Sequence, residues 1–189
     1  ATDTKVYDGT ALTNSTVTAG DDGFITGEGA TYDVTGTITE VGETANAFTY
    51  TLNEGTKADN YTITKVEGTL KVTELTDKVT VTITEKSGSW KYDGTEKTIT
   101  GYEVEISNPL YTESDFTFSG TAEVQATDAG TYPMELKPAD FTNTSKNFTN
   151  VEFVIVDGTL EISKRTVTLT SATDTKVYDG TALTNSTVT

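Results

Sequence analysis

The stretch Lys78-Val79-Thr80-Val81-Thr82-Ile83-Thr84 decides the fold class, because valine or isoleucine alternates with threonine along most of its length. A period of two is the spacing of side chains that point to opposite faces of a β-strand. Threonine suits the solvent-facing side, since strands accommodate its β-branched side chain well. The stretch therefore predicts a strand with one buried face.

The rest of the chain has the same character. No window of about 11 residues carries apolar side chains at helical spacing, and glycine and Asp-Gly pairs interrupt the sequence often. Short alternating segments separated by such turn residues are typical of β proteins. We therefore predict an all-β fold made of two tandem small β-sandwich or β-grasp-like domains, elongated along the chain.

The first and the last 18 residues of the sequence are identical. Residues 1–18, ATDTKVYDGTALTNSTVT, return letter for letter as residues 172–189, which sets a period of 171 residues. Folding does not demand identity at every exposed Thr, Asn and Ser, because surface substitutions change stability by about 0.5 kcal/mol or less. The identity therefore indicates a duplicated segment in a tandem array, where each unit contacts its neighbours and the array supplies length.

A second, degenerate repeat lies inside this period. Tyr-Asp-Gly occurs at Tyr7, Tyr92 and Tyr178, and Val81 and Val167 stand 11 positions before the second and third of these tyrosines in matching alternating segments. An equal offset predicts the same strand in the same place. The predicted modules are the first module at residues 1–74, the second module at residues 75–164, and the start of a third module, here called the C-terminal segment, at residues 165–189.

Further matches run through both complete modules. Each ends on Asn-Tyr/Phe-Thr followed by Gly-Thr-Leu, at Asn60–Thr62 with Gly68–Leu70 and at Asn147–Thr149 with Gly158–Leu160. In the middle of the modules, Gly130-Thr131-Tyr132 of the second module is matched to Asn46-Ala47-Phe48 of the first. Between Tyr61 and Val66 the apolar parity changes, which predicts either a strand with a bulge near Thr64 and Lys65 or a tight turn there.

The first module begins at Ala1 and lacks the alternating segment that Lys78–Thr84 and Arg165–Thr170 represent elsewhere. An unpaired strand edge favours pairing with another chain. We therefore expect a strand-exchange contact between molecules, in which an edge near Tyr50 or Val72 of one molecule takes up residues 165–170 of another.

Charge and amino-acid composition limit the classes of function that this chain can have. The chain carries 29 Asp and Glu against 13 Lys and Arg, a formal net charge of −16, and it contains neither Cys nor His. Its acidity repels nucleic-acid phosphates and anionic membrane surfaces. Disulfides, thiolate metal sites and the commonest catalytic base are excluded by composition. We expect no enzymatic activity, no cofactor, no catalytic or metal-binding residues, and no nucleic-acid or membrane partner.

The Tyr-Asp-Gly sites are the most regular candidates for chemistry. An Asp-Gly pair between extended residues predicts a type I′ hairpin turn, since both central positions need positive φ. A catalytic role for Asp8, Asp93 or Asp179 would need a base or a metal that the motif does not supply. We interpret these aspartates as turn residues.

Three other groups of residues could have a functional role in place of a purely structural one. Asp21-Asp22-Gly23 with Glu28 offers oxygen ligands to calcium, although the spacing is not that of an EF-hand. A self-made cross-link between Lys and Asn, or between Thr and the only glutamine, Gln125, is a second alternative. Trp90 and the tyrosines offer faces for sugar stacking, and an aromatic that covers the edge of the core is the structural alternative.

The Lys-x-Tyr-Asp-Gly-Thr opening at Lys5–Thr10, the strand at Gly130–Tyr132 and the shared ending together resemble the MBG and YDG-type repeats of bacterial surface proteins, especially Gram-positive ones. The resemblance covers nearly the whole chain, and the first module departs from it at Asn46–Thr49. It implies small β-sandwich or β-grasp-like domains, an extracellular location and a role as stalk or adhesin repeats, with no catalytic residues.

From these observations we expect structural spacer repeats of a bacterial cell-surface adhesin. They would be attached to the cell wall through regions outside this fragment and would project a distal binding domain, with neighbouring repeats of the same chain as partners. The alternative is that the modules themselves bind host glycan or protein multivalently, with avidity set by copy number.

Overall fold

The computed structural model describes residues 1–189, and β-strands make up nearly all of its regular structure. The strands are β1 (Asp3–Val6), β2 (Ala30–Val34), β3 (Gly42–Asn46), β4 (Phe48–Leu52), β5 (Gly68–Thr73), β6 (Val79–Glu85), β7 (Gly88–Lys91), β8 (Lys97–Thr100), β9 (Tyr102–Ile106), β10 (Phe116–Phe118), β11 (Glu123–Ala126), β12 (Gly130–Pro133), β13 (Phe141–Asn143), β14 (Val151–Val156) and β15 (Thr159–Ser163). Single-turn 3-10 helices occur at Ala58–Asn60, Glu113–Asp115 and Pro138–Asp140. The prediction of an all-β fold is confirmed.

The chain divides into two compact units. The first comprises Ala1–Thr84, Tyr102–Thr121 and Leu136–Val156, and the second comprises Glu85–Gly101, Ala122–Glu135 and Asp157–Thr189. The module boundaries after residues 74 and 164 remain a prediction from the sequence. None of the helices has the length and hydropathy needed to cross a lipid bilayer.

In the first unit, β5 is the central strand of a three-stranded sheet, with β1 parallel on one side and β3 antiparallel on the other. Leu12, Leu70 and Val72 form the buried core beneath it. Val72 is 1% exposed and its strand is paired on both sides, so the strand edge expected there is absent. Tyr50 does lie on an edge strand, since β4 pairs only with β2.

The alternating stretch that opens the second module forms β6, as predicted. This strand is central in a sheet of order β14-β6-β9 and runs parallel to β14. The side chains of Val79, Val81 and Ile83 are completely buried. Because a fully buried aliphatic side chain stabilises a fold by about 1.5 to 3 kcal/mol, β6 is a principal stabilising element of its sheet.

In the second unit, β15 is the central strand of a sheet of order β12-β15-β7, with β7 parallel and β12 antiparallel to it. Strands β8 and β11 form a separate antiparallel pair. The order and the pairing senses of β12-β15-β7 are those of β3-β5-β1. The degenerate sequence repeat therefore corresponds to a repeated arrangement of strands.

The strand registers correct one sequence match. Gly42 of β3 lies opposite Val72, and Gly130 of β12 lies opposite Ile162. Because Val72 and Ile162 hold the same place in the two Gly-Thr-Leu endings, Gly130 corresponds to Gly42. The match of Gly130-Thr131-Tyr132 to Asn46-Ala47-Phe48 is therefore wrong by four residues.

Of the two alternatives expected between Tyr61 and Val66, the bulged strand is wrong, because residues 61–67 form no strand. In the second module the corresponding stretch is β14, which forms its hydrogen bonds with β6. The first module has no strand in the place of β6. Within residues 1–189, residues 61–67 have no such partner strand.

Candidate functional site

The three Tyr-Asp-Gly turns share one hydrogen-bonded structure. The Oδ1 atom of Asp8 accepts hydrogen bonds from the backbone N–H of Thr10 (2.9 Å) and from its hydroxyl (2.7 Å). The Nζ atom of Lys5 lies 2.6 Å from the same oxygen. The third turn repeats the arrangement with Asp179, Thr181 and Lys176. In the second turn Thr95 bonds to Oδ1 of Asp93 in the same way, but the lysine, Lys97, follows the aspartate and contacts Oδ2.

These contacts stabilise the ionised carboxylates. The bond from Lys5 is the largest cause, and those from Thr10 the next, of a pKa of about 2 for Asp8. Asp93 has a lowered pKa for the same reasons, with Lys97 first. The aspartates thus fix the turns through hydrogen bonds made within a few residues.

The turns are not hairpins. Gly9 has φ 77°, Gly94 78° and Gly180 79°, but none of the preceding aspartates has a positive φ, so the type I′ prediction is wrong. The strands on either side of the second turn also belong to different sheets, since β7 pairs with β15 and β8 with β11. The Asp-Gly pair identifies the turn but not its partner strands.

Within the first unit, residues of both modules meet around two neighbouring buried side chains, Asn147 and Phe148. Tyr7 contacts the ring of Phe148 edge-on, with 5.5 Å between the ring centroids and an interplanar angle of 77°. Tyr111 approaches the same ring at 5.1 Å and 85°. Edge-to-face pairs of this geometry contribute about 0.5 to 1.5 kcal/mol beyond burial.

Asn147 is held by the first module on both sides of its carboxamide. Its Oδ1 accepts the backbone N–H of Val41 at 3.0 Å, and its Nδ2 donates to the carboxylate of Glu40. Asn147 is only 6% exposed, so these two bonds satisfy polar atoms that burial would otherwise leave unpaired at a cost of about 1 to 3 kcal/mol. Burial, followed by the charge of Glu40, raises the pKa of the neighbouring Tyr7 hydroxyl.

The backbone completes the contact. Leu75 forms a parallel bridge to Phe148. The N–H of Leu75 donates to the carbonyl of Asn147 (2.8 Å), and the N–H of Thr149 donates to the carbonyl of Leu75 (3.3 Å). We call the set Tyr7, Glu40, Val41, Leu75, Tyr111, Asn147 and Phe148 the joint, because it connects residues 1–75 to residues 111–149.

An open groove of about 620 Å3 lies in the first module. It is lined by residues 17–25 and 60–65, with Tyr32 and Tyr50 among the aromatic residues. Its charged lining residues are Asp21, Asp22 and Lys65. Ile63 is 39% and Tyr50 38% exposed, so part of the groove surface is apolar and accessible.

The structure does not assemble the calcium ligands considered from the sequence. Asp21 and Asp22 line the groove, whereas Glu28 hydrogen-bonds to the side chain of Tyr61 and raises its pKa. No three acidic side chains are placed to hold a metal ion. The short spacing in sequence therefore does not translate into a shared coordination site.

The two remaining candidates lie on exposed strands of the second unit. The amide of Gln125 donates to the carboxylate of Glu123 at 2.5 Å, and its participation in a cross-link stays a prediction. Trp90 on β7 is 36% exposed, and Tyr92, directly after that strand, is 37% exposed. Side chains two residues apart on an extended chain share a face, so these two aromatics are presented together.

Comparison with known proteins identifies one segment. Residues 79–164 match the family model of the MBG domain, a range that runs from β6 to β15. No curated protein and no solved structure matches the chain. The match confirms the resemblance to MBG-type domains, and it indicates a β-rich surface-protein repeat.

Proposed function

We propose that this chain, whose residues 79–164 form an MBG-type domain, is part of the spacer of a bacterial cell-surface adhesin. In this proposal the repeats form a stalk that is extracellular, is attached to the wall of a Gram-positive cell through other regions of the protein, and carries a distal binding domain. The repeats themselves catalyse no reaction.

The joint is the observation that supports this function most. Modules connected only by a flexible linker bend freely, and their reach then grows with about the square root of the number of residues. Here the connecting residue Leu75 is bonded to Asn147 through its backbone, and Tyr7 packs on Phe148. A connection held by backbone, side-chain and aromatic contacts resists bending, which is what a spacer requires.

The sequence adds two supporting arguments. The identity of residues 1–18 and 172–189 indicates duplication with a period of 171 residues, and duplication lengthens a linear array without any change in chemistry. The net charge of −16 makes neighbouring molecules repel one another, which keeps a dense layer of such repeats soluble.

Small-angle scattering of chains with one, two and three periods tests the proposal. We expect the maximum dimension to increase by the same length with each period. An increment that shrinks as periods are added would contradict a stalk, because it would mean that the array folds back or bends freely.

The role of the joint is tested by the double substitution Tyr7→Ala and Glu40→Ala. We expect it to broaden the distribution of dimensions in the same scattering experiment, because the two side-chain contacts that the first module makes to Phe148 and Asn147 are lost. The matched control is Tyr178→Ala with Glu54→Ala, since Tyr178 is 92% exposed and neither residue belongs to the joint. Equal distributions for the two variants would contradict the role of the joint.

The second candidate function, multivalent binding of host glycan or protein, is favoured by the exposed pair Trp90 and Tyr92. It predicts a glycan-array signal that rises with the number of periods and is lost in Trp90→Ala but kept in Tyr178→Ala. Absence of any signal at three periods would leave the spacer as the better account.

A further inference from the structure

We propose that the second module bears tension along the chain, through a mechanical clamp formed by residues 75–92 and residues 148–165. We call the first of these the entry segment and the second the exit segment, since the chain enters the module through one and leaves it through the other. The proposal goes beyond the spacer function and does not depend on it, because it concerns the response of the folded module to a pulling force.

The two segments run parallel to each other. Strand β6 of the entry segment pairs with β14 of the exit segment over six residues, beginning with Val79 opposite Val151. Strand β7 then pairs with β15 over four residues, beginning with Gly88 opposite Leu160. In both ladders a residue faces the one 72 positions later, so the register of the first ladder is kept in the second.

The stretches of chain between the two ladders are also bonded to each other. The carboxylate of Glu85, which is only 3% exposed, accepts the N–H of Gly158 at 2.7 Å. The hydroxyl of Ser87 accepts the N–H of Thr159 at 3.1 Å. A Cβ on Gly158 would lie 2.5 Å from the carbonyl oxygen of Lys86, so only glycine permits the two backbones to pass this closely. The contact between the entry and exit segments therefore continues from one ladder to the next.

Both ends of the clamp are closed by further bonds. At the start, Leu75 forms a parallel bridge to Phe148. At the end, the N–H of Tyr92 donates to the carbonyl of Ser163 at 2.9 Å, and Nε of Arg165 donates to the carbonyl of Tyr92 at 2.6 Å. The clamp therefore extends from the first to the last residues of both segments.

The direction of the strands decides how a force acts on these bonds. Tension across the module pulls the entry segment towards its N-terminus and the exit segment towards its C-terminus. Because the segments are parallel, the two forces act along the strands in opposite directions, and the evenly spaced bonds of a parallel ladder are then stretched together, in shear. Two strands that are pulled apart from the same end lose their bonds one at a time instead.

The strands that receive the tension first are central strands of their sheets. Besides its partner in the clamp, β6 pairs with β9, and β15 pairs with β12. Val81 and Ile83 of β6 and Leu160 of β15 are completely buried, which shields the ladder bonds from water. Sliding either strand would therefore break bonds on both of its sides and would expose apolar side chains.

The clamp lies on the path of the force, and residues 93–147 do not. They begin after the entry segment and end before the exit segment, so they carry no tension while the clamp holds. Their aromatic core, which includes the rings of Tyr102, Phe118 and Phe141, stabilises the module without resisting the first step of forced unfolding. Forced unfolding depends on the unfolding rate, so resistance to force and equilibrium stability are separable in this module.

Pulling on the full chain with optical tweezers tests the proposal. The chain has no cysteine of its own, so handles can be attached at two chosen exposed positions. Asp77→Cys with Lys164→Cys places the handles at opposite ends of the clamp and loads it in shear. Asp77→Cys with Thr149→Cys places both handles at its starting end and peels the strands apart. At one loading rate, we expect a single-step rupture in shear at a force about twofold higher or more than in peeling.

Two large-to-small substitutions separate the clamp from the rest of the module. Ile83→Ala removes a completely buried side chain of β6, and Phe118→Ala removes a ring that packs on Tyr102 and Phe141, outside the clamp. Both are expected to lower the midpoint of urea denaturation. Only Ile83→Ala is expected to lower the rupture force in shear, whereas Phe118→Ala should leave that force unchanged.

Equal rupture forces in the two pulling geometries would overturn the proposal, because the direction of the strands would then have no mechanical consequence. A gradual lengthening under shear without a rupture would overturn it too, as would an equal loss of rupture force in Ile83→Ala and Phe118→Ala. None of these results would alter the scattering test of the spacer, since a mechanically weak module still adds a constant length to an array at rest.

Discussion

The two identical 18-residue copies, residues 1–18 and residues 172–189, form the same turn but not the same strand. In both copies the lysine and the threonine bond to the aspartate of the Tyr-Asp-Gly motif. In both, the side-chain oxygen of the asparagine accepts a hydrogen bond from the backbone N–H of the threonine two residues later, at 2.9 Å for Asn14 and 3.0 Å for Asn185. The turns are therefore specified by local sequence alone.

The strand and the burial differ between the copies. Asp3–Val6 form β1 against β5, whereas the identical residues 174–177 form no strand. Leu12 is 8% exposed and Leu183 is 47% exposed. Because the sequences are identical, the difference is due entirely to the neighbouring strand. Local hydrogen bonds make the turn, and tertiary contacts with β5 make the strand and the core.

The largest effect on this difference is expected from a substitution that destabilises β5. Without β5 the first copy would lose its partner strand and would resemble the second copy. Leu70 is completely buried beside Leu12, and Leu70→Ala is expected to lower the free energy of unfolding of this region by about 2 to 5 kcal/mol. Urea denaturation, followed by hydrogen exchange at the amides of β1, measures the effect.

The exposed neighbour Thr69→Ala is the control, with an expected change of about 0.5 kcal/mol. Amide signals of residues 174–181 should be the same in both variants, because every residue of that stretch is exposed. A loss of the turn in the C-terminal copy of Leu70→Ala would show that the copies are not independent.

The comparison also explains what the sequence could predict. Alternation along Val79–Glu85 predicted β6 because burial of one strand face has a direct signature in the order of residues. The hairpin prediction failed because β7, the strand before the second turn, pairs with β15 (Trp90 opposite Ile162), and an Asp-Gly pair carries no information about that partner.

The candidate sites also divide into features set by local sequence and features set by tertiary contacts. The turn contacts of Asp8, which are local, could be anticipated as structural from the motif. The joint could not, because Glu40 and Asn147 are 107 residues apart and the Asn-Phe-Thr motif that contains Asn147 carries no information about Glu40. The groove could be anticipated only in part. Of the two edge positions expected from the sequence, Tyr50 lines the groove, whereas Val72 does not lie at an edge, because its strand β5 is paired with β1 and β3 on its two sides.

A substitution of the motif glycine sharpens the comparison, because the same change can be made in both copies. Gly9 and Gly180 have φ of 77° and 79°, so alanine is strained at both by about 1 to 2 kcal/mol. At Gly9 the added Cβ would also lie 2.9 Å from Cδ2 of Leu110, whereas at Gly180 it meets no atom within 4 Å.

We expect Gly9→Ala to lower the free energy of unfolding by about 1 to 3 kcal/mol. Gly180→Ala should change it by less than about 0.5 kcal/mol, because the strain there is confined to an exposed segment. Urea denaturation of the two variants measures the difference. Equal losses would mean that residues 172–189 contribute to the folded core, contrary to their exposure.

The smallest expected effect is on the titration of the two turn aspartates. The pKa is about 2 for Asp8 and about 2 for Asp179, in both cases because the motif lysine and then the motif threonine bond to the carboxylate. Since these partners lie within three residues, the two aspartates should titrate together in an NMR pH titration, although one copy is packed against β5 and the other is exposed.

The direction of the pH dependence follows from the lowered pKa. The folded turn is stabilised above the ordinary aspartate pKa of about 4, and this contribution is lost as the pH falls from there through about 2. Lys5→Ala and Lys176→Ala should raise the pKa of Asp8 and of Asp179 alike. If only the Asp8 pKa responds, the turn in the first copy depends on its packing, and the separation of local turn from tertiary strand is wrong.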